Sequence, residues 1–196
     1  MFAEFIYRPI SGEYQEIHFG DTASDCAWVK FTTSTAEEWV GSFQRGWIAN
    51  SLFIKLLGKH ERAFVVVDGS AYLIDVATHQ LVNNIEITDV RTAIIDEEQL
   101  KVYYSNGYDL RSIDMNGDKA CLLFEYNEFE EIELLRISDN KLYATYHHYQ
   151  SGNNKYELVI DLITNEIEDS FPNVNQLHST EITPQVSNAK PWWRFW

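Results

Sequence analysis

The chain has 196 residues, with 15 Lys and Arg against 30 Asp and Glu, giving a formal charge of −15. Apolar residues make up 45% and aromatics 14%, enough to bury a sizeable core, which excludes global disorder. The acidic balance excludes a surface built to grip phosphates and points to a basic partner, or to no charged partner at all.

In chain order, residues 27–33 form the first strand-like run. Ser34-Thr35-Ala36-Glu37-Glu38 then has the form of a capping box, and Trp39, Phe43 and Trp47 recur at helical spacing. Gly41 and Gly46 weaken a helix, and Trp39, Gly41 and Phe43 alternate as in a strand, so strand is preferred over residues 35–48. Further strand-like runs cover residues 51–57, 62–67, 71–76, 90–95, 100–104, 120–126, 132–137, 142–148 and 156–162. Between runs lie Asp68-Gly69, Asn106-Gly107, Asn116-Gly117, Asp139-Asn140 and Gly152-Asn153, residues that tolerate the positive φ of tight hairpin turns. Strands joined so closely must be antiparallel neighbours. The four prolines, at positions 9, 172, 184 and 191, avoid the strand-rich middle, where every ladder N–H is needed.

An internal repeat is visible. Ile74-Asp75-Val76, Ile113-Asp114-Met115 and Ile160-Asp161-Leu162 each follow a turn and a strand. Each aspartate is expected to start the next turn by accepting nearby backbone N–H groups. A unit of about 40–50 residues with four short strands is the mark of a propeller blade. The expected fold is therefore all-β: an antiparallel meander of three to four blade-like units, a partial or small β-propeller-like body with at most one short helix. One domain covers residues 1–171, with units near 51–87, 88–126 and 130–170. Residues 172–196 form a proline-containing loop and an aromatic tail with Trp192, Trp193, Phe195 and Trp196. That tail is expected to cover a sheet edge or face, the alternative being a partner anchor.

Candidate chemistry is sparse. Cys26 and Cys121 read as two buried free thiols. His147-His148 would face opposite ways on a strand, so the pair cannot hold one metal. The segment 114–118 has its glycine two places early for a calcium loop. No G-x-S-x-G, P-loop or G-x-G-x-x-G occurs, so no catalytic residue, metal or cofactor is expected, and the chain is not read as an enzyme. The N-terminus lacks a basic-then-apolar signal, no apolar run is long enough for a bilayer, and no N-x-[ST] sequon occurs, favouring a cytoplasmic, bacterial setting.

Charge is more informative. Residues 121–170 hold eleven acids against three bases, Arg136, Lys141 and Lys155. The densest run supplies Glu125, Glu128, Glu130, Glu131 and Glu133, and Asp96-Glu97-Glu98 forms a second cluster in what reads as the equivalent region of the preceding unit. A single acidic run is usually a solvated face or edge protection; two on neighbouring units predict a continuous negative surface that would steer a cationic protein.

The segments Trp39-Val40-Gly41-Ser42-Phe43, Ala63-Phe64-Val65-Val66-Val67-Asp68-Gly69 and Ile160-Asp161-Leu162-Ile163-Thr164-Asn165 resemble a bacterial family of small propeller-like β proteins. Several acidic proteins of this size are immunity proteins of polymorphic toxin and contact-dependent growth inhibition systems. The resemblance spans residues 25–170 and implies a monomeric immunity protein that occludes a basic toxin domain, such as a nuclease, without binding nucleic acid or membrane. It brings no catalytic residues with it. The competing readings are a propeller-like scaffold without a toxin partner and a carboxylate-dependent hydrolase.

Overall fold

A computed structural model describes residues 1–21, 25–82, 87–116, 120–125, 129–149, 152 and 154–171. Among these residues sixteen strands form four sheets of four. The first sheet holds β1 (Phe2–Ile6), β2 (Glu16–Phe19), β3 (Cys26–Thr32) and β4 (Glu38–Gln44). The second holds β5 (Leu52–Leu57), β6 (Arg62–Val67), β7 (Ser70–Asp75) and β8 (Gln80–Leu81), and the third β9 (Thr92–Asp96), β10 (Lys101–Ser105), β11 (Asp109–Asp114) and β12 (Ala120–Glu125). The fourth holds β13 (Phe129–Ser138), β14 (Lys141–His148), β15 (Lys155–Asp161) and β16 (Ile167–Asp169). The last three sheets are meanders of consecutive antiparallel strands, so the fold is all-β and propeller-like. Among the described residues the only helical turn is the 3-10 turn Gly58–His60. None of their helices is long and apolar enough to cross a membrane.

The first sheet departs from the meander. Its order is β1-β3-β4-β2, and β2 runs parallel to β4. Parallel strands need a crossover. Residues 7–15 supply it, leading from one edge of the sheet to the other. Arg8 lies 5.6 Å from the Trp28 ring and Lys30 5.3 Å from the Tyr14 ring on this crossover. The capping-box residues make a turn rather than a helix: Thr33 Oγ1 accepts the Glu37 amide at 3.1 Å, and Ala36 takes φ 64°. Trp39 and Phe43 both point into the core from β4, and the Trp39 indole N–H donates to the Val76 carbonyl at 3.1 Å.

Three apolar clusters join the sheets in chain order. Val29, Phe31 and Trp39 meet Val65, Val67 and Ile74; Phe64, Val66 and Leu73 meet Val102, Tyr104 and Ile113; Tyr103 and Leu110 meet Phe129, Leu142, Tyr146 and Leu158. Among the described residues no such cluster joins the fourth sheet to the first. This arrangement explains the hydropathy pattern. The second sheet is covered on both faces, so Ala63, Val65 and Val67 serve one neighbour, Phe64 and Val66 the other, and the strand reads as a continuous apolar run. In β14 the fourth sheet buries Leu142, Ala144, Tyr146 and His148 and leaves Tyr143, Thr145 and His147 part-exposed, so its strand alternates.

The repeat has a structural meaning at one end of the stack. The amides of Val76, Met115 and Leu162 donate to the carbonyls of Glu61, Leu100 and Asn140, each at 2.8 Å. Those acceptors hold left-handed φ values of 49°, 54° and 58°. The next residue is basic in each unit, and Arg62, Lys101 and Lys141 lie across from Asp75, Asp114 and Asp161. Each aspartate also accepts a backbone amide of the following turn: Thr78 at 2.8 Å, Asn116 at 2.7 Å, and both Ile163 and Thr164 at 2.9 Å. The Thr164 and Ile163 amides hold the Asp161 carboxyl below its usual range. Burial opposes the same shift at Asp75, but the Thr78 amide and Arg62 outweigh it.

Candidate functional site

The outer face of the fourth sheet brings together the main acidic run. Phe129, Ile132 and Leu134 on β13 point into the core, which turns Glu130 and Glu133 to the other side, opposite His147 and Thr145. The ladder is irregular between Glu130 and Glu133, where Glu131 takes φ 53°. This bulge lets two glutamates in a row stand exposed. Leu158 and Ile160 face the core from β15, so Lys155, Glu157 and Asp161 take the outer side. Glu168 joins them from β16, paired with Val159.

Three of these carboxylates already have partners on the face. Lys155 lies 3.0 Å from Glu133, Lys141 lies 2.9 Å from Glu168, and His147 lies 3.7 Å from Glu131. The Glu168 hydrogen bond raises the pKa of Lys141. Arg136 sits 4.1 Å above the Tyr143 ring. Glu130 and Glu157 are exposed as well, so acids outnumber bases on this face. The sheet ladder holds these groups at fixed spacing on one face. Among the described residues no group of three or more His, Cys, Asp or Glu could hold a metal ion.

The sequence-expected residues divide. Glu130, Glu131 and Glu133 share the face. Glu125 ends β12, with its side chain outside the description, and Glu128 and the aromatic tail lie outside the described residues. Asp96 corrects the expectation of a second surface cluster: it is 8% exposed, and its Oδ1 accepts the Glu98 and Gln99 amides at 2.9 Å. It is a turn-forming carboxylate. Burial first and Asp96 second push the Tyr103 hydroxyl up to about 12. Glu97 and Glu98 are exposed, but they occupy the β9–β10 turn. The corresponding place in the next sheet is the β13–β14 turn, whereas Glu130 and Glu131 start β13. Among the described residues the two acidic segments therefore lie toward opposite ends of their strands. Glu157 and Glu168 were missed by the sequence reading; the alternation of Tyr156-Glu157-Leu158 carried the signal for Glu157.

The cysteines are half-buried rather than buried, and neither is in a disulfide. Burial raises the pKa of Cys26, with Asp25 adding to the effect. His147 and His148 do face opposite sides of the sheet: His148 is 2% exposed and stacks on Phe171 at 4.0 Å.

No family model matches the chain, and no curated protein matches it. Among solved structures, a chain in a crystal structure of a nidogen/laminin complex aligns at 12% identity, with a TM-score of 0.39, over 80% of this chain and 78% of that one.

Proposed function

We propose that this protein is a non-enzymatic immunity protein that binds a cognate basic toxin domain, such as a nuclease, and occludes its substrate-binding face. The observation that carries this reading is the outer face of the fourth sheet, where Glu130, Glu131, Glu133, Glu157 and Glu168 stand exposed on a rigid ladder. Lys and Arg side chains that would grip nucleic acid meet these carboxylates instead. Binding is steered by charge, needs no cofactor, and takes place between two monomers in the cytoplasm.

The test is co-expression with the product of the gene immediately upstream. Toxicity of that product, rescued by this chain, supports the reading. Association should slow steeply as ionic strength rises. A partner bound equally well after Glu130, Glu131, Glu133, Glu157 and Glu168 all become glutamine overturns the choice of face.

The internal pairing of Glu133 with Lys155 and Glu168 with Lys141 favours a second reading, a propeller-like scaffold whose outer face is a charge-laced solvated surface. A neighbourhood in which no upstream product is toxic supports that alternative.

A further inference from the structure

The two ends of the stack are finished differently. On the first sheet, Val40 and Ser42 pair with Lys30 and Trp28 on the face turned away from the second sheet. The crossover closes that face. Arg8 lies over the Trp28 ring, Lys30 packs on the Tyr14 ring, and the Val40 amide donates to the Gln15 carbonyl at 2.9 Å. Val40 and Ser42 are accordingly 0% and 3% exposed. The chain thus caps its own first sheet, as the terminal members of stacked folds require.

The outer face of the fourth sheet is left more open. Arg136, Tyr143 and Val159 are neighbours across β13, β14 and β15. Tyr143 and Val159 alternate with the core residues Leu142, Ala144, Leu158 and Ile160, so they face outward, and both are only half-buried. Leu135, the extra residue where the ladder shifts between Leu134 and Arg136, is 52% exposed. Apolar side chains therefore cross the middle of this face, between the charged rows at Glu133 and at Lys141. Apolar surface rimmed by polar residues marks a contact site.

We propose that residues 182–196 of this chain, which lie outside the described residues, dock on that strip and seat aromatic side chains beside Leu135, Tyr143 and Val159. Three observations select this occupant. The first is its point of departure: Phe171 stacks on His148, meets the Tyr156 ring edge-on, and has its amide held by Asp169, so the chain leaves from the edge of this same sheet. The second is reach. Four strands span about 15 Å, and residues 172–181 cover up to about 33 Å when extended. The third is composition. Residues 182–196 carry Trp192, Trp193, Phe195 and Trp196 with Lys190 and Arg194 and no acidic side chain, whereas acids outnumber bases on the face. A tether this short holds the segment at an effective concentration on the order of millimolar, so a weak contact suffices. The docking does not depend on the immunity reading. Its consequence, that a basic partner must displace the segment to reach the glutamates, rests on that reading.

The experiment is amide-resolved NMR on the full chain, comparing the parent with a variant carrying Trp192→Ser, Trp193→Ser, Phe195→Ser and Trp196→Ser together, each at two protein concentrations. Shifts are expected at residues 134–136, 143–145 and 157–160, with the amides of the first and second sheets unmoved. A synthetic peptide of residues 182–196, added to the serine variant, should return those resonances saturably toward their parent positions. Its binding should weaken at least tenfold when Tyr143→Ser is added to that variant, whose first-sheet amides report that it is folded. The proposal is overturned if the fourth-sheet amides do not move, if the shifts fall on another sheet or a strand edge, if the peptide does not restore them, or if Tyr143→Ser leaves its affinity unchanged. A parent pattern that changes with protein concentration also overturns it, because the segment then reaches a second copy. Restoration by the peptide together with a harmless upstream product retains the docking and removes the immunity reading; rescue from toxicity with unmoved amides does the reverse.

Discussion

The Tyr146 hydroxyl donates to Asp169, lying 2.7 and 2.8 Å from its two carboxylate oxygens. The bond reaches from β14 across β15 to the short edge strand β16. Asp169 also accepts the Phe171 amide at 2.9 Å, so one carboxylate closes the end of the fourth sheet. Tyr146 is 0% exposed and stacks on Phe129 at 3.7 Å. Tyr146→Phe keeps the stack and loses the charged bond, which should cost about 1.5–3 kcal/mol. Tyr146→Ala loses both and should cost about 3–5 kcal/mol. Urea unfolding of the two variants checks the order; a Phe variant as stable as the parent would show that the bond adds nothing.

The turn aspartates set an acid dependence. Asp75 and Asp161 have carboxyls held below their ordinary range in the fold. Their contribution is complete above the unfolded value near pH 4 and is lost as pH falls through the lower folded values. Stability should therefore decline from about pH 5 to pH 3. Asp75→Asn keeps an acceptor for the Thr78 amide but cannot titrate, so its decline over this range should be shallower. An equal loss of unfolding free energy between about pH 5 and pH 3 in the parent and in Asp75→Asn, measured by denaturant titration, would contradict this.

Gly46 lies where the link from β4 to β5 passes the β6–β7 turn, its amide bonded to the Val67 carbonyl at 3.0 Å. A Cβ there would strike the Asp68 carbonyl and sit 2.7 Å from the Ser70 amide nitrogen. Both are backbone, so neither swings aside. Gly46→Ala should destabilise by about 1–3 kcal/mol. Gly58 has open space for a Cβ and no positive φ, so Gly58→Ala should be neutral or stabilising by up to about 1 kcal/mol. Thermal melts of the pair test the contrast directly.

The charges of the fourth sheet should matter little for stability. Glu133 and Lys155 have side chains 56% and 55% exposed. A double-mutant cycle on this pair should give a coupling of about 0.2–1 kcal/mol, shrinking with salt. Glutamine at Glu130, Glu131 and Glu133 should leave the unfolding midpoint almost unchanged. That outcome would make these variants fair probes of binding, whereas a large loss of stability would place the carboxylates in a structural role.

Much of the architecture was legible because turns and strand cores leave strong local marks. The run 62–67 coincides with β6, and the three Ile-Asp dipeptides mark equivalent turns. What escaped was set by neighbours distant in sequence. β11 has no simple alternation: Leu110, Ser112 and Ile113 are buried, Arg111 is exposed, and the register shifts between Leu110 and Arg111. β1 and β2 are defined by their pairing with β3 and β4, and β8 and β16 are too short to show a period. The acids of β13 were identifiable from composition, but nothing local separated the buried turn-former Asp96 from its exposed neighbours.

Among the described residues the apolar clusters bind the first sheet to the second, the second to the third and the third to the fourth, so the cohesion they supply adds up along a line rather than around a ring. An interior member is gripped twice and a terminal member once. Melting should therefore start at an extremity and travel inward, with deuterium entering the amides of the fourth sheet before those of the second.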